Sequence, residues 1–205
     1  MDRVAKFAGF ILAGGRSSRM GRDKAMLEID GLTMIDRAID LVRRVGVEPV
    51  VVGSVGESSR KPGGRVISDD WPGAGPLGGI ATALRDTQAS WNLVVACDMP
   101  YLTKNWMEFL MCRASTALGD AVVPMNESGA EPLCAIYHQR GETAIRDALE
   151  NGVRKVTDGL AKLRVEYVER DEWKGFDPDG LLFKNMNEPA DYEEAKVQLS
   201  GRAKK

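Results

Sequence analysis

The chain has 205 residues, 43% of them hydrophobic and 28% charged, the proportions of an ordinary globular protein with one sizeable core. Its 28 Lys and Arg against 30 Asp and Glu leave a net charge of −2, which excludes the overall basic excess of a general nucleic-acid binder. Cys97, Cys112 and Cys134 are too few and too spread for a disulfide framework or a cysteine-rich zinc site, and they fit a reducing cytoplasm.

Residues 7–13 form a short apolar run closed by Gly14 and Gly15, the pattern of a buried strand that delivers the chain into a loop. No apolar run approaches the roughly 18 residues of a membrane span. Asp2 in the basic start and Arg16 in place of a cleavage site argue against a signal peptide. After a loop carrying Arg16, Arg19, Arg22 and Lys24, apolar residues recur at Met34, Ile35, Ala38, Ile39, Leu41, Val42 and Val45. That spacing predicts a helix capped by Thr33 and stopped near Gly46. Residues 49–52 read as a second buried strand and 53–64, rich in Gly and Ser, as an exposed loop or weak helical turn. Val66 and Ile67 begin a short strand. Beyond the glycine-rich stretch 73–79, residues 80–87 predict a helix and 93–97 a strand ending at Asp98.

The second half continues with a helix over 105–114, strands over 121–124 and 133–137, and helices over 142–150 and 189–199. Short apolar runs alternating with helical segments predict an α/β protein with a mostly parallel central sheet, whose ligand site gathers at the carboxyl ends of the strands. Gly14 and Asp98 both fall at such ends. No repeat or linker divides the chain, so residues 1–200 are expected to form a single domain, with residues 201–205 a disordered tail.

The strongest local signal is LAGGRSSRMGRDK, residues 12–24. Consecutive glycines let backbone N–H groups approach a phosphate, and successive amides can form an anion-binding nest. From Arg16 to Lys24 the four basic residues outnumber the one acid, Asp23, which suits a triphosphate; a solvated basic turn is the bland alternative. It is not a Walker loop, because Asp23 precedes Lys24 and Ala25 follows it. Gly73, Gly75 and Gly78 imitate the dinucleotide fingerprint, with Asp98 20 residues later. Residues 69–72 separate them from the preceding strand, and Pro76 stiffens the turn, so a dinucleotide cofactor is not expected.

Asp98 projects from a strand end, where it is a candidate metal ligand or a helix cap. Magnesium takes one or two carboxylate or amide oxygens and completes its octahedron with phosphate oxygens and water. Asn187 stands where a helix begins and is either its cap or a site residue. His138, the only histidine, reads as structural, and the cysteines and the four tryptophans as packing. Arg154 and Lys155 either bind an anionic substrate group or coat a helix.

Together with GPLGGI at residues 75–80, CDMP at 97–100, EPL at 131–133 and NMNEPADY at 185–192, the first motif resembles that of the molybdenum cofactor guanylyltransferases, the MobA-like nucleotidyltransferases. The matches fall in order over nearly the whole chain. The resemblance implies a three-layer Rossmann-like nucleotidyltransferase fold, and transfer of GMP from GTP to molybdopterin with release of pyrophosphate. It implies Mg2+ as the metal, held by Asp98 and Asn187. Leu12, Ala13, Gly14 and Gly15 would contact the nucleotide, Lys24 its phosphates and Asp69 the guanosine portion, with Asp98 also at the nucleotide. Lys24, Arg19 and Asp98 would be the catalytic groups.

One departure stands out: Gly53, Ser54 and Val55 occupy the stretch where the family often places a nucleotide-binding asparagine. CTP as donor, or a sugar or polyol phosphate as acceptor, are the alternatives within the same chemistry. A nucleotide-binding module without turnover is the alternative outside it. Transient contact with a molybdenum-insertion enzyme and with acceptor apoenzymes is expected, because an oxygen-sensitive pterin is better handed on directly, and neither nucleic acid nor membrane is expected as partner.

Overall fold

The structure, a computed structural model, describes residues 6–14, 24–53 and 63–202. Strand β1 (Phe7–Leu12) leads to a hairpin of β2 (Glu28–Ile29) and β3 (Leu32–Thr33), helix α1 (Met34–Arg44), β4 (Pro49–Val52) and β5 (Arg65–Ile67). Helix α2 (Pro76–Asp86), β6 (Trp91–Ala96), α3 (Lys104–Thr116), β7 (Ala121–Asn126), β8 (Gly129–Ala130) and β9 (Cys134–His138) follow. The chain closes with α4 (Glu142–Glu150), α5 (Val156–Leu160), β10 (Val165–Val168), α6 (Arg170–Trp173) and α7 (Pro189–Arg202).

The main sheet runs β10-β7-β9-β6-β1-β4-β5, with β8 paired to β7. The β6–β1–β4–β5 run is parallel, as is β10 on β7, while β9 lies antiparallel between β6 and β7. Strand periodicity sorts the core into two faces. Ile11, Val51, Leu93 and Val95 pack with Ile35, Ile39 and Val42 of α1 and Trp106 and Leu110 of α3. Phe10, Val50, Val52 and Val94 pack with Ile80 and Leu84 of α2, Ile145 and Leu149 of α4, and Leu160 of α5. Helices on both faces make the expected three layers. A third cluster joins α7, through Ala195 and Leu199, to Leu27 and Ile29 beside the small hairpin.

Thr33 caps α1 as expected, its hydroxyl accepting from Asp36 N–H at 3.1 Å. Several elements differ from those expected. Helix α2 begins at Pro76, not residue 80, because proline is favoured at the first helical position, where its missing N–H is no loss. Helix α7 runs through Gly201 to Arg202, into the expected tail. Short β10, α5 and α6 escaped the apolar-periodicity reading because β10 alternates around Glu166 and the two helices span only 5 and 4 residues.

An aromatic cluster determines where the last third of the chain goes. Trp106 of α3 stacks on Phe109 and meets Trp173, Phe176 and Phe183, with ring centroids 5.5–6.4 Å apart. Trp173 also donates its indole N–H to the Met125 carbonyl at 2.9 Å. The segment after α6 is thereby carried across the carboxyl edge of the sheet and returned to the end of β6.

Candidate functional site

The carboxyl ends of β1 and β6 lie side by side, with Leu12 in register with Ala96. Cys97 N–H donates to the Leu12 carbonyl at 3.2 Å, and Ala13 N–H donates to the Val52 carbonyl of β4 at 2.9 Å. Leu12, Ala13 and Gly14 are thus braced on both sides as the chain leaves the sheet. Gly53, the first residue of the stretch that departs from the family pattern, is held to glycine by its own packing. Its φ is +116°, and a Cβ there would stand 2.0 Å from the Ala13 carbonyl oxygen. Only glycine lets the second strand's exit pass this close to the first.

Asp98 and Asn187 are brought together although they are far apart in sequence. Met186 N–H donates to the Asp98 carbonyl at 2.9 Å. Lys24 Nζ donates to Asn187 Oδ1 at 3.0 Å across 163 residues. The backbone N–H groups of Asn187 and Glu188 go to Asp191 Oδ2, at 2.9 and 2.8 Å. Asp191 therefore serves the opening of α7, and the Asn187 amide oxygen faces the site. Burial pushes the Asp98 carboxyl above its ordinary value, opposed by the Lys24 ammonium.

One carboxylate and one amide oxygen at this edge suit a divalent cation that takes its remaining ligands from phosphate and water. Among the described residues no group of three or more His, Cys, Asp or Glu is placed to hold a metal by itself. A cation here would need a phosphate-bearing substrate to complete its coordination.

Asp69 sits before α2, and its Oδ1 accepts from Trp71 N–H at 2.9 Å and from the Thr82 hydroxyl at 3.0 Å. It braces the glycine-rich turn against α2 beside the exits of β4 and β5. Gly15 and Arg19 lie outside the described residues, as do Arg16 and Arg22 and residues 54–62 of the loop expected over 53–64.

Other candidates settle into structural places. His138 pairs with Trp91 at the opposite end of β6, accepts Arg140 N–H at its Nδ1 at 3.1 Å and stacks edge-on with Trp91 at 4.7 Å. Arg154 Nη1 donates to the Leu149 and Val153 carbonyls at 2.8 Å, closing the end of α4. Buried Cys134, its thiol pushed up to about 12 by burial, accepts from Trp106 Nε1 at 3.3 Å. Cys112 is exposed, contrary to the packing role expected of it.

Glu131, the first residue of the EPL motif, carries no site role in the sequence reading. It precedes β9, where the Leu133 carbonyl accepts from Ala96 N–H at 2.8 Å, two residues before Asp98. Its pKa is raised by burial, with Asn126 opposing as a hydrogen-bond donor. The signals that mark it in the sequence are that motif and a carboxylate inside an otherwise apolar approach to a strand.

A mostly parallel sheet between helical layers, with its polar groups gathered at one edge, defines a nucleotidyltransferase fold. The 2-C-methyl-D-erythritol 4-phosphate cytidylyltransferase of Thermus thermophilus shares it with a TM-score of 0.70 at 16% identity over 95% of this chain and 99% of that one. The chain itself belongs to the MobA-like NTP transferase family, whose domain matches residues 9–165. It is 36% identical over 189 residues to a probable molybdenum cofactor guanylyltransferase of Pelotomaculum thermopropionicum, covering 92% of this chain and 91% of that protein. A Bacillus cereus protein of the same description is 30% identical over 204 residues, covering 97% and 100%. The crystal structure of molybdopterin-guanine dinucleotide biosynthesis protein A from Archaeoglobus fulgidus is similar with a TM-score of 0.82 and 28% identity, covering 95% and 99%.

Proposed function

We propose that this protein transfers GMP from GTP to molybdopterin, forming the guanine dinucleotide of the cofactor and releasing pyrophosphate. The guanylyltransferase relatives favour GTP over CTP. The observation that carries the reading is the convergence of Lys24, Asp98 and Asn187 beside the Leu12–Gly14 backbone, from three distant stretches of sequence.

The terminal phosphate of molybdopterin attacks the α-phosphorus of GTP, so no protein nucleophile is required. The bond to the β,γ-diphosphate breaks, and charge moves onto the departing pyrophosphate. Leu12, Ala13, Gly14 and Gly15 hold the nucleotide, and Asp69 keeps the glycine-rich turn in place and contacts the guanosine portion. Lys24 and Arg19 stabilise charge on the phosphates as it develops. Asp98 and Asn187 would hold Mg2+, which would screen the phosphate oxygens. Residues 1–200 act as one domain, in the cytoplasm, with transient contact to the enzyme that inserts molybdenum and to the apoenzymes that take the product.

The test is pyrophosphate release from GTP by the purified protein with Mg2+, with and without molybdopterin. Molybdopterin-dependent release is expected. Lys24→Ala should lower kcat by roughly 10²–10³-fold, the loss seen when one charge-stabilising donor is removed, and Asp98→Ala should lower turnover by removing a ligand of the metal. Wild-type rates from either variant would contradict its assignment.

A further inference from the structure

The sheet order places Asp98 between two territories. Leu12–Gly14, Gly53 and α2 lie over β1 and β4, while the ends of β7 and the start of β9 lie on the other side of β6. If the nucleotide occupies the first, the acceptor must approach over the second, where Glu131 stands. Its backbone is anchored at both ends: Glu131 N–H donates to the Pro124 carbonyl at 2.8 Å, and its carbonyl accepts from Cys134 N–H at 3.3 Å.

The side chain is oriented as firmly as the backbone. The Asn126 amide donates to Glu131 Oε1, while Asn126 Oδ1 accepts from Ser128 N–H at 2.7 Å, so the amide's hydrogens face the carboxylate. The Arg170–Glu127 ion pair and the Trp173–Met125 hydrogen bond tie this rim to α6. A carboxylate offers about four acceptor sites, and the Asn126 amide uses one. The rest suit a ligand edge that presents two parallel N–H donors, the arrangement that makes paired charge-assisted hydrogen bonds.

We propose that Glu131 reads the 2-amino-4-oxopyrimidine edge of the acceptor, its ring N–H and exocyclic amine, and so selects a pterin over a pteridine without the 2-amino group. The inference rests on the molybdopterin reading above. Guanine carries the same edge, but it belongs to the nucleotide territory across β6. Partial burial strengthens the case, because a carboxylate that has lost part of its hydration gains most from directed donors.

The full-length protein would be titrated with 6-hydroxymethylpterin monophosphate and with 6-hydroxymethyllumazine monophosphate, which has an oxygen in place of the 2-amino group. Wild type should prefer the pterin by about tenfold or more, the discrimination of one charge-assisted hydrogen bond. Glu131→Gln should lose the preference and raise KM for molybdopterin, while Glu131→Asp should keep part of it. KM for GTP, and the ratio of GTP to ITP, should not move. Equal binding of the two pteridines by wild type, or an undiminished preference in Glu131→Gln, would overturn the proposal. A changed GTP-to-ITP ratio would assign the carboxylate to guanine and overturn it too. Failure of wild type to form any dinucleotide from GTP and molybdopterin would count against the function itself, while the binding comparison, which needs no turnover, would still decide the role of Glu131.

Discussion

Asp98 meets opposed demands from stability and function. Burial makes its charged form costly, and the nearby Lys24 ammonium offsets only part of that cost, so the carboxyl titrates above its ordinary value. Below the ordinary carboxylate range the group is protonated whether the chain is folded or not, and the fold carries no charge penalty. As pH rises through the raised value, the folded state comes to hold a poorly solvated carboxylate and loses stability relative to the unfolded chain. Asp98→Asn is therefore expected to melt at a higher temperature than wild type at pH 7, with the gap closing as pH falls through the carboxylate range. A lower melting temperature for Asp98→Asn at pH 7 would contradict this account. Asp98 was legible in the sequence because a strand visibly ran into it. The position of Asn187 beside Lys24 was not, since it depends on contacts such as Trp106 with Phe183 that no local pattern encodes.

Helix α2 shows how closely an element can be tied to the site it supports. Gly78 faces Trp71, and a Cβ there would stand 2.8 Å from the Trp71 Cβ and 3.0 Å from its carbonyl oxygen. At Gly79 the nearest atom is the Leu12 Cδ2, the tip of a side chain, at 3.0 Å. Gly78→Ala must push on backbone and is expected to cost about 1–3 kcal/mol. Gly79→Ala gains helix propensity of up to about 1 kcal/mol and meets a neighbour that can turn aside. Thermal melts of the two variants should separate them clearly, and equal losses would show that Leu12 cannot turn aside. The glycines and Pro76 made the start of this helix read as loop. Local composition argued one way, while close packing against Trp71 and Leu12 required small residues in a helix. Element types elsewhere followed from periodicity, as in α1, whose Met34, Ile35, Ile39 and Val42 are all buried.

For the molecule as a whole, the two ends of the sheet do different work. At the end away from Asp98, Asp120 accepts from Arg140 Nε at 2.6 Å and from Arg164 Nε and Nη2 at 3.1 and 3.0 Å, joining β7, the turn after β9 and the start of β10. The Arg164 and Arg140 hydrogen bonds hold its carboxyl well below the usual carboxylate range. That clamp is fully present above about pH 4, where an unfolded Asp is ionised, and is lost as pH falls further. Because both arginines are largely exposed, Asp120→Asn is expected to lower the melting temperature by only about 2–4 °C at pH 7, with the difference vanishing in acid. Activity per folded molecule should not change, since the clamp is at the opposite edge from the site. The α/β order and the parallel strands were readable from alternating apolar runs. The antiparallel insertion of β9 between β6 and β7 was not, because strand direction within a sheet depends on long-range pairing that short runs do not specify.

The central claim, guanylyl transfer to molybdopterin, is tested most directly by offering the protein Mg2+, molybdopterin and the four nucleoside triphosphates in equal amounts and identifying the pterin dinucleotide by mass. The guanine dinucleotide as the dominant product is predicted. A cytosine dinucleotide, or no pterin dinucleotide from any of the four, would contradict it.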